Sequence, residues 1–398
     1  MTGGEGAATF PHVRVSGGPR ERGRSYGDQA RERISTSIHA YEQVFRAYAG
    51  WSWDEVRREA AGYQAPIAAF DERYVEEMRG IAEGAGVDLE DILGINVRTE
   101  VMFAAKARAA ERAGTLDASR VSGPRQGECT AFAVVPEASA SGHTLIGQNW
   151  DWLLHCFDTV VVLEAEQDDG PNFVSVVEAG LLAKTGMNSS GLGVATNALV
   201  TDDDRGEPAI PYHVLLRAFM DCETISDALS IAQKAPRSSS ANYLLAHRDG
   251  MAVDIEGTPG DFSRLFLLFP EDGVLAHTNH FRSPSFDRKD VSMWVMPDSP
   301  FRLERLRTAI DRTMPGLTLD TFREVLADHA NFPSGVCCHP DERMDRYDQG
   351  STVASVLMDL DDARIWVADG RPCTAPFREL DVATLLAKPS PIREGMPR

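Results

Sequence analysis

The spacing at which apolar residues recur changes partway along the chain, and that change limits what the chain can fold into. Before residue 110 the period is helical: Ile34, Ile38, Tyr41 and Phe45 recur at spacings of three and four against a background of Ala, Glu and Arg. A second helix is predicted over 71–85, with Gly84 and Gly86 near its end. A third is predicted over 88–110, where an acidic start precedes Ile92, Leu93, Ile95 and Val97. Residues 114–127 are rich in Gly, Ser, Arg and Pro and nearly free of large apolar side chains, which reads as an exposed connector open to processing. From Cys129 onward short β-branched and apolar runs take over, at 130–135, 159–166, 173–179 and 192–196. Helices are predicted at 212–220 and 224–235, followed by strands at 243–247, 251–256, 265–269 and 274–278. Helices at 301–312 and 319–330 and strands at 353–360 and 365–367 complete the pattern. Strands grouped before and after helices favour a layered α+β fold over a doubly wound parallel sheet.

Composition narrows the function classes. With 398 residues, 43% hydrophobic and 25% charged, the chain can bury a sizeable core. Its 60 acidic residues outnumber 40 basic ones, a formal net charge of -20, which argues against nucleic acid or an anionic membrane as partner. No apolar run is long enough to span a bilayer, and residues 1–20 lack the features of a secretory signal, so a cytoplasmic protein is expected. The six cysteines include no C-x-x-C pair, and Cys337 and Cys338 are too close in sequence to share one metal. The expectation is therefore reduced thiols and no metal site.

One cysteine stands apart by its context. Gly127-Glu128-Cys129-Thr130 marks the junction of connector and first strand. A buried thiol opening a strand is the commoner reading of any one cysteine. The alternative is a nucleophile whose own α-amino group becomes its base once the preceding bond is cut. Such an amine titrates at roughly 7.7–8 and can take the thiol proton at neutral pH without a histidine. Asp151, in Gln148-Asn149-Trp150-Asp151, lies where a hairpin partner strand would return beside Cys129. Asn279, in Thr278-Asn279-His280, ends an apolar strand, where an amide can donate to a developing oxyanion, and Asn197 ends another strand. Alone, each of these three is more often a turn or cap residue. His280 is read as structural, and Asp202-Asp203-Asp204 as a solvated turn.

Cys129-Thr130-Ala131 with Gln148-Asn149-Trp150-Asp151 resembles the isopenicillin N acyltransferase (acyl-coenzyme A:6-aminopenicillanic acid acyltransferase) family of N-terminal-nucleophile hydrolases. The resemblance extends to Arg79-Gly80-Ile81-Ala82-Glu83-Gly84-Ala85, Asn96-Val97-Arg98-Thr99-Glu100, His277-Thr278-Asn279-His280, Asp298-Ser299 with Arg302, and Gly370-Arg371-Pro372. It implies a four-layer αββα core over 129–398, with the helical segment 1–128 packed against it and retained after self-cleavage as a partner chain. Cys129 would be both the autoproteolytic and the catalytic nucleophile, and the bond cut would be Glu128–Cys129. Asp151 would orient the amine or the thiol, and Asn279 and Asn197 would form the oxyanion hole. Arg302 is either a structural or substrate-binding cation or an exposed helix residue. Related bile-salt and penicillin V hydrolases carry an Arg where this chain has Gln148, so that ion pair with Asp151 is absent. Where the best-known member has Gly before the cysteine this chain has Glu128, which an acyl shift through the backbone carbonyl tolerates. Cys338 stands where penicillin-forming relatives place an Arg, which argues against penicillin-type substrates.

The expected activity is thus a cysteine amide hydrolase or acyltransferase working on linear amide or thioester bonds of a small-molecule substrate through an acyl-cysteine. No resident cofactor is implied, and acyl-coenzyme A is admitted as a co-substrate. Three alternatives stay open: a choloylglycine-type hydrolase of N-acyl amino acids or acyl-homoserine lactones, an uncut binding protein without turnover, and a Cys–His thiol enzyme that works without cleavage.

Overall fold

Strands in the middle of the protein are buried at every position, because each of two sheets is covered by the other sheet on one face and by helices on the opposite face. The computed structural model describes residues 9–112, 114 and 129–387. Glu128 and all of the predicted connector except Gly114 lie outside the described residues.

The larger sheet has eight strands in the order β1 (His12–Gly17), β4 (Val160–Gln167), β5 (Phe173–Glu178), β6 (Thr185–Asn188), β7 (Leu192–Ala198), β8 (Ala241–His247), β9 (Met251–Gly257) and β10 (Leu265–Leu268). The smaller has six, in the order β11 (Val274–His277), β2 (Cys129–Val134), β3 (Leu145–Leu153), β12 (Gly350–Asp359), β13 (Arg364–Ala368) and β14 (Phe377–Glu379). Helices α10 (Ser299–Thr313) and α11 (Leu319–Leu326) cover the smaller sheet, packing Leu306 and Phe322 on Phe132 and Leu357. Helices α7 (Tyr212–Met220) and α8 (Ile225–Lys234) cover the larger one, and short turns α9 (Ser292–Val295) and α12 (Ala383–Leu386) complete the set. This is the four-layer α+β arrangement expected from the resemblance. Among the described residues no helix is long and apolar enough to cross a membrane.

The N-terminal segment forms α1 (Pro19–Gln29), α2 (Arg31–Ala49), α3 (Trp53–Ala61), α4 (Gln64–Ala85), α5 (Leu89–Asn96) and α6 (Arg98–Arg112). It also contributes β1, parallel to β4 at the edge of the larger sheet, which the helical reading did not foresee. The helix predicted over 71–85 is the second half of α4, which bends at Asp71 (φ -161°), where the carboxylate accepts the Arg73 N–H at 2.9 Å. The single helix predicted over 88–110 is two, because the chain leaves helical geometry at Val97 (φ -109°). The helix predicted over 319–330 stops at Leu326.

Two motifs of the N-terminal segment have direct physical reasons. Gly80 and Gly84 face Gly23 and Gly27 of α1 so closely that a Cβ on Gly84 would stand 2.0 Å from the Arg24 carbonyl. Only glycine permits that backbone approach. Asn96, Arg98 and Glu100 fasten the segment to the core. The Asn96 side chain donates to Gly180 O (2.8 Å) and accepts the Leu182 N–H (3.1 Å), Arg98 pairs with Glu178 (3.3 Å), and Glu100 accepts the Tyr212 N–H (2.8 Å).

Candidate active site

Cys129 opens β2 opposite Trp150 of β3, and the hairpin places Asp151 beside it. The Asp151 contact with the sulfur is made by its backbone N–H, while its carboxylate Oδ1 accepts the Thr352 hydroxyl at 2.5 Å. Asp151 Oδ2 is buried and has no hydrogen-bond partner among the described residues. Burial pushes this carboxyl up to about 7, against the opposing pull of Arg302.

The backbone of Cys129 is held on both polar atoms. Its N–H donates to Asn279 Oδ1 at 2.7 Å. Its carbonyl accepts from Asn197 Nδ2 at 3.0 Å and from Arg302 Nη1 at 2.8 Å. Arg302 also donates to Asn279 Oδ1 (2.9 Å) and Thr130 Oγ1 (3.2 Å), and its Nε pairs with Asp298 at 2.6 Å. At 1% exposure Arg302 is not a surface helix residue. Asp298, Ser299 and Arg302 share the first turn of α10, which explains their spacing: Ser299 Oγ accepts the Asn279 N–H at 2.7 Å while Arg302 grips its side chain. Asn279 therefore presents its carbonyl to Cys129, and its Nδ2 donates to Ala198 O at 2.9 Å. His280 bonds Ser299 through Nδ1 (2.8 Å), and burial draws its imidazole down to about 4, so it stays neutral near pH 7.

Gln148 bridges the two sheets. Its Oε1 accepts the Thr185 hydroxyl (2.6 Å) and the Thr196 N–H (3.1 Å). Asp202 and Asp203 are exposed as expected, but Asp204 is buried and accepts from Thr201 and Ser240, so only part of that run is a solvated turn.

Two residues at the site were not read from the sequence. Lys184 is buried, with its ammonium 4.8 Å from the Trp150 ring centroid and 5.6 Å from that of Tyr212. Burial lowers it to about 8, against the attraction of Cys129. Its signal was a single cation after the apolar run Gly180-Leu181-Leu182-Ala183. Thr352 reaches Asp151 from β12, 201 residues on, and nothing local marks it. Burial raises the Cys129 thiol above its ordinary range, and Lys184 is the largest opposing influence. Cys129, Lys184, Trp150, Trp152, Tyr212 and Arg98 border a void of about 20 Å³. That is room for little more than one water molecule.

The fold and site define a helix–sheet–sheet–helix protein whose buried thiol starts a central strand. Residues 138–373, more than half of the chain, match the family described as acyl-coenzyme A:6-aminopenicillanic acid acyl-transferase, and the chain belongs to that family. The matched stretch includes Asp151, Asn197, Asn279 and Arg302 and begins after Cys129. Over 367 residues the chain is 25% identical to the 40 kDa form of acyl-coenzyme A:6-aminopenicillanic-acid-acyltransferase from Emericella nidulans, covering 91% of this chain and 93% of that one. Solved structures of similar shape include the Caenorhabditis elegans ortholog of N-acylethanolamine-hydrolyzing acid amidase (13% identity, 66% of this chain, 98% of that one, TM-score 0.44). Another is a conjugated bile acid hydrolase mutant from Clostridium perfringens (15% identity, 65% of this chain, 95% of that one, TM-score 0.43).

Proposed function

We propose that the protein is a self-processing cysteine amide hydrolase or acyltransferase that carries acyl groups on Cys129. In processing, the Cys129 sulfur attacks the carbonyl carbon of residue 128. The C–N bond breaks as the C–S bond forms, and the nitrogen takes up the proton. Water then hydrolyses the thioester and releases residues 1–128 with a new carboxylate, while Cys129 keeps a free α-amine. The two chains stay together through β1 and the Asn96–Arg98–Glu100 clamp.

In turnover the α-amine takes the thiol proton, and the thiolate attacks an amide or thioester carbonyl of a small-molecule substrate. The acyl-cysteine is then resolved by water or by an amine acceptor, and acyl-coenzyme A is a fitting donor. Asn279 Oδ1, already bonded to the Cys129 nitrogen, holds the amine. Its Nδ2, with Asn197, stabilises the oxyanion. Asp151 Oδ2 supplies an acceptor for the ammonium, and Lys184 favours the thiolate electrostatically. A void of about 20 Å³ does not admit an acyl chain, so substrate access requires some of the lining side chains to move.

The observation that carries this reading is the bonding of both backbone polar atoms of one strand-initial cysteine by Asn279, Asn197 and Arg302, which come from three distant elements. The test is the intact mass of denatured protein, with N-terminal sequencing of the larger fragment. Two chains, the larger beginning Cys-Thr-Ala-Phe, are expected. A single uncut chain that turns over substrate would overturn the proposal.

A further inference from the structure

We propose that His329, Cys337, His339 and Cys373 together bind a zinc-type divalent ion at a site separate from Cys129. Their four ligating atoms all lie within 4.8 Å of one another. His339 Nε2 stands 3.0 Å from His329 Nε2, 3.7 Å from Cys337 Sγ and 3.5 Å from Cys373 Sγ. A tetrahedral ion with arms of about 2.0–2.1 Å to nitrogen and about 2.3 Å to sulfur sets those edges at about 3.3 Å and about 3.6 Å. The three separations from His339 agree within a few tenths of an ångström, and the remaining ones, none above 4.8 Å, close onto the ion by small side-chain movements. One imidazole nitrogen has a single lone pair or a single hydrogen, so one hydrogen bond cannot account for three such neighbours. One ion among the four does.

The surrounding chain holds these groups in place with its own bonds. Asp328, just past α11, accepts the Ala330 N–H on its side chain (2.8 Å) and the Cys337 N–H on its carbonyl (2.9 Å). The His339 N–H donates to Pro333 O at 2.9 Å. On the other side Gly370 turns the chain at φ +123°, and the Thr374 N–H donates to Arg371 O at 3.0 Å, presenting Cys373. His329 is exposed while Cys337 is buried, so the cluster opens to solvent on one edge, where an ion enters. Two thiolates and two imidazoles select zinc over magnesium or calcium, and four protein ligands leave no open position, which marks the site as structural rather than catalytic.

Such an ion staples the loop between α11 and β12 to the turn after β13. That loop reaches the first site through Cys338, whose N–H donates to Thr352 Oγ1 at 2.9 Å, the same hydroxyl that donates to Asp151. Adjacency of Cys337 and Cys338 is no obstacle, because only Cys337 faces the cluster. The rival group of His155, Cys156 and Glu178 does not compete, since Glu178 is already held by Arg98, Ser37 and Tyr41.

The experiment is metal analysis of the full chain, purified under reducing conditions without chelator. About one zinc per chain is expected, and exchange into cobalt should give tetrahedral ligand-field bands with thiolate-to-cobalt charge transfer. Cys373→Ser and His329→Ala should each retain under about one-tenth of that zinc. Cys338→Ser and Cys222→Ala should keep it. Circular dichroism confirms that each variant is folded. The proposal is overturned if folded wild-type protein stays metal-free after incubation with zinc under reductant. It is equally overturned if Cys337 and Cys373 form a disulfide that survives those conditions, or if the Cys338 variant loses zinc as the Cys373 variant does.

Discussion

The two sides of Cys129 are built on opposite principles. On the backbone side Asn279, Asn197 and Arg302 supply the partners that the N–H and carbonyl need, and Asp298 balances the arginine charge. On the sulfur side the carboxyl oxygen Asp151 Oδ2 has no partner among the described residues, and Lys184 rests on aromatic faces beside a small void. An unsatisfied buried polar atom costs about 1–3 kcal/mol, so the second side is held at a disadvantage that the first side's order offsets. The difference teaches where reaction belongs. The backbone is fixed, while two groups with displaced acid–base behaviour, Lys184 and Asp151, stand on the thiol's side.

The largest effect should come from the atom between the two sides. Cys129→Ala should abolish both self-cleavage and turnover, and Cys129→Ser should cut slowly. Cys156→Ala and Cys222→Ala should cut and turn over normally. Denaturing mass and steady-state rates check this, and wild-type turnover by the Ala variant would remove Cys129 from the chemistry.

Next, Arg302→Met should break the ordered side. It leaves Asp298 buried without its cation and takes a donor from Cys129 O, a loss on the order of 3–5 kcal/mol in denaturant unfolding. Stability within about 1 kcal/mol of wild type would mean that the carbonyl side is not the rigid one.

Asn279 belongs to both sides, so its variant sharpens the division. With residues 1–128 and 129–398 co-expressed as separate chains to bypass processing, Asn279→Ala should lower kcat and kcat/KM together by about 10²–10³ and leave KM nearly unchanged. A change in KM alone would make it a ground-state binding residue.

The smallest effects are in pH dependence. Lys184→Met should shift the midpoint of Cys129 alkylation upward, because the cation that opposes burial is gone. The folded state holds Lys184 at about 8 against 10.5 unfolded, so between those values the unfolded state binds more protons and wild-type stability rises with pH. Asp151 has the opposite sign. At about 7 folded against 3.8 unfolded, the folded state keeps the proton longer and stability falls as pH rises across that range. Asp151→Asn should flatten that fall, and Lys184→Met the alkaline rise, in unfolding measured from pH 4 to 10.

The change of period at Cys129, the grouping of strands, and helices such as α7 were legible because each is a local pattern repeated within a few turns. So were the five polar residues that meet at the site, Cys129, Asp151, Asn197, Asn279 and Arg302, since each stands at a strand end or in a short motif. Less was legible where burial overrides local character. β1 is a short segment that becomes a strand only beside β4, and Lys184 is a cation whose surroundings come from β3 and α7. Asp204 reads as a solvated acid until Ser240 covers it.

What the sequence by itself determined is therefore the α+β class, the order of most elements and the candidate residues, because periodicity and turn chemistry act over a few residues. Only the tertiary structure decided which atoms meet. Asn279 turns its carbonyl to Cys129 because Arg302 and the Cys129 N–H both need an acceptor there, a contact that no strand end announces. In the same way, no spacing marks His329, Cys337, His339 and Cys373 as a set. They converge because α11 stops at Leu326 and the turn after β13 faces the loop that follows, and contacts between distant segments leave no period in the chain that makes them.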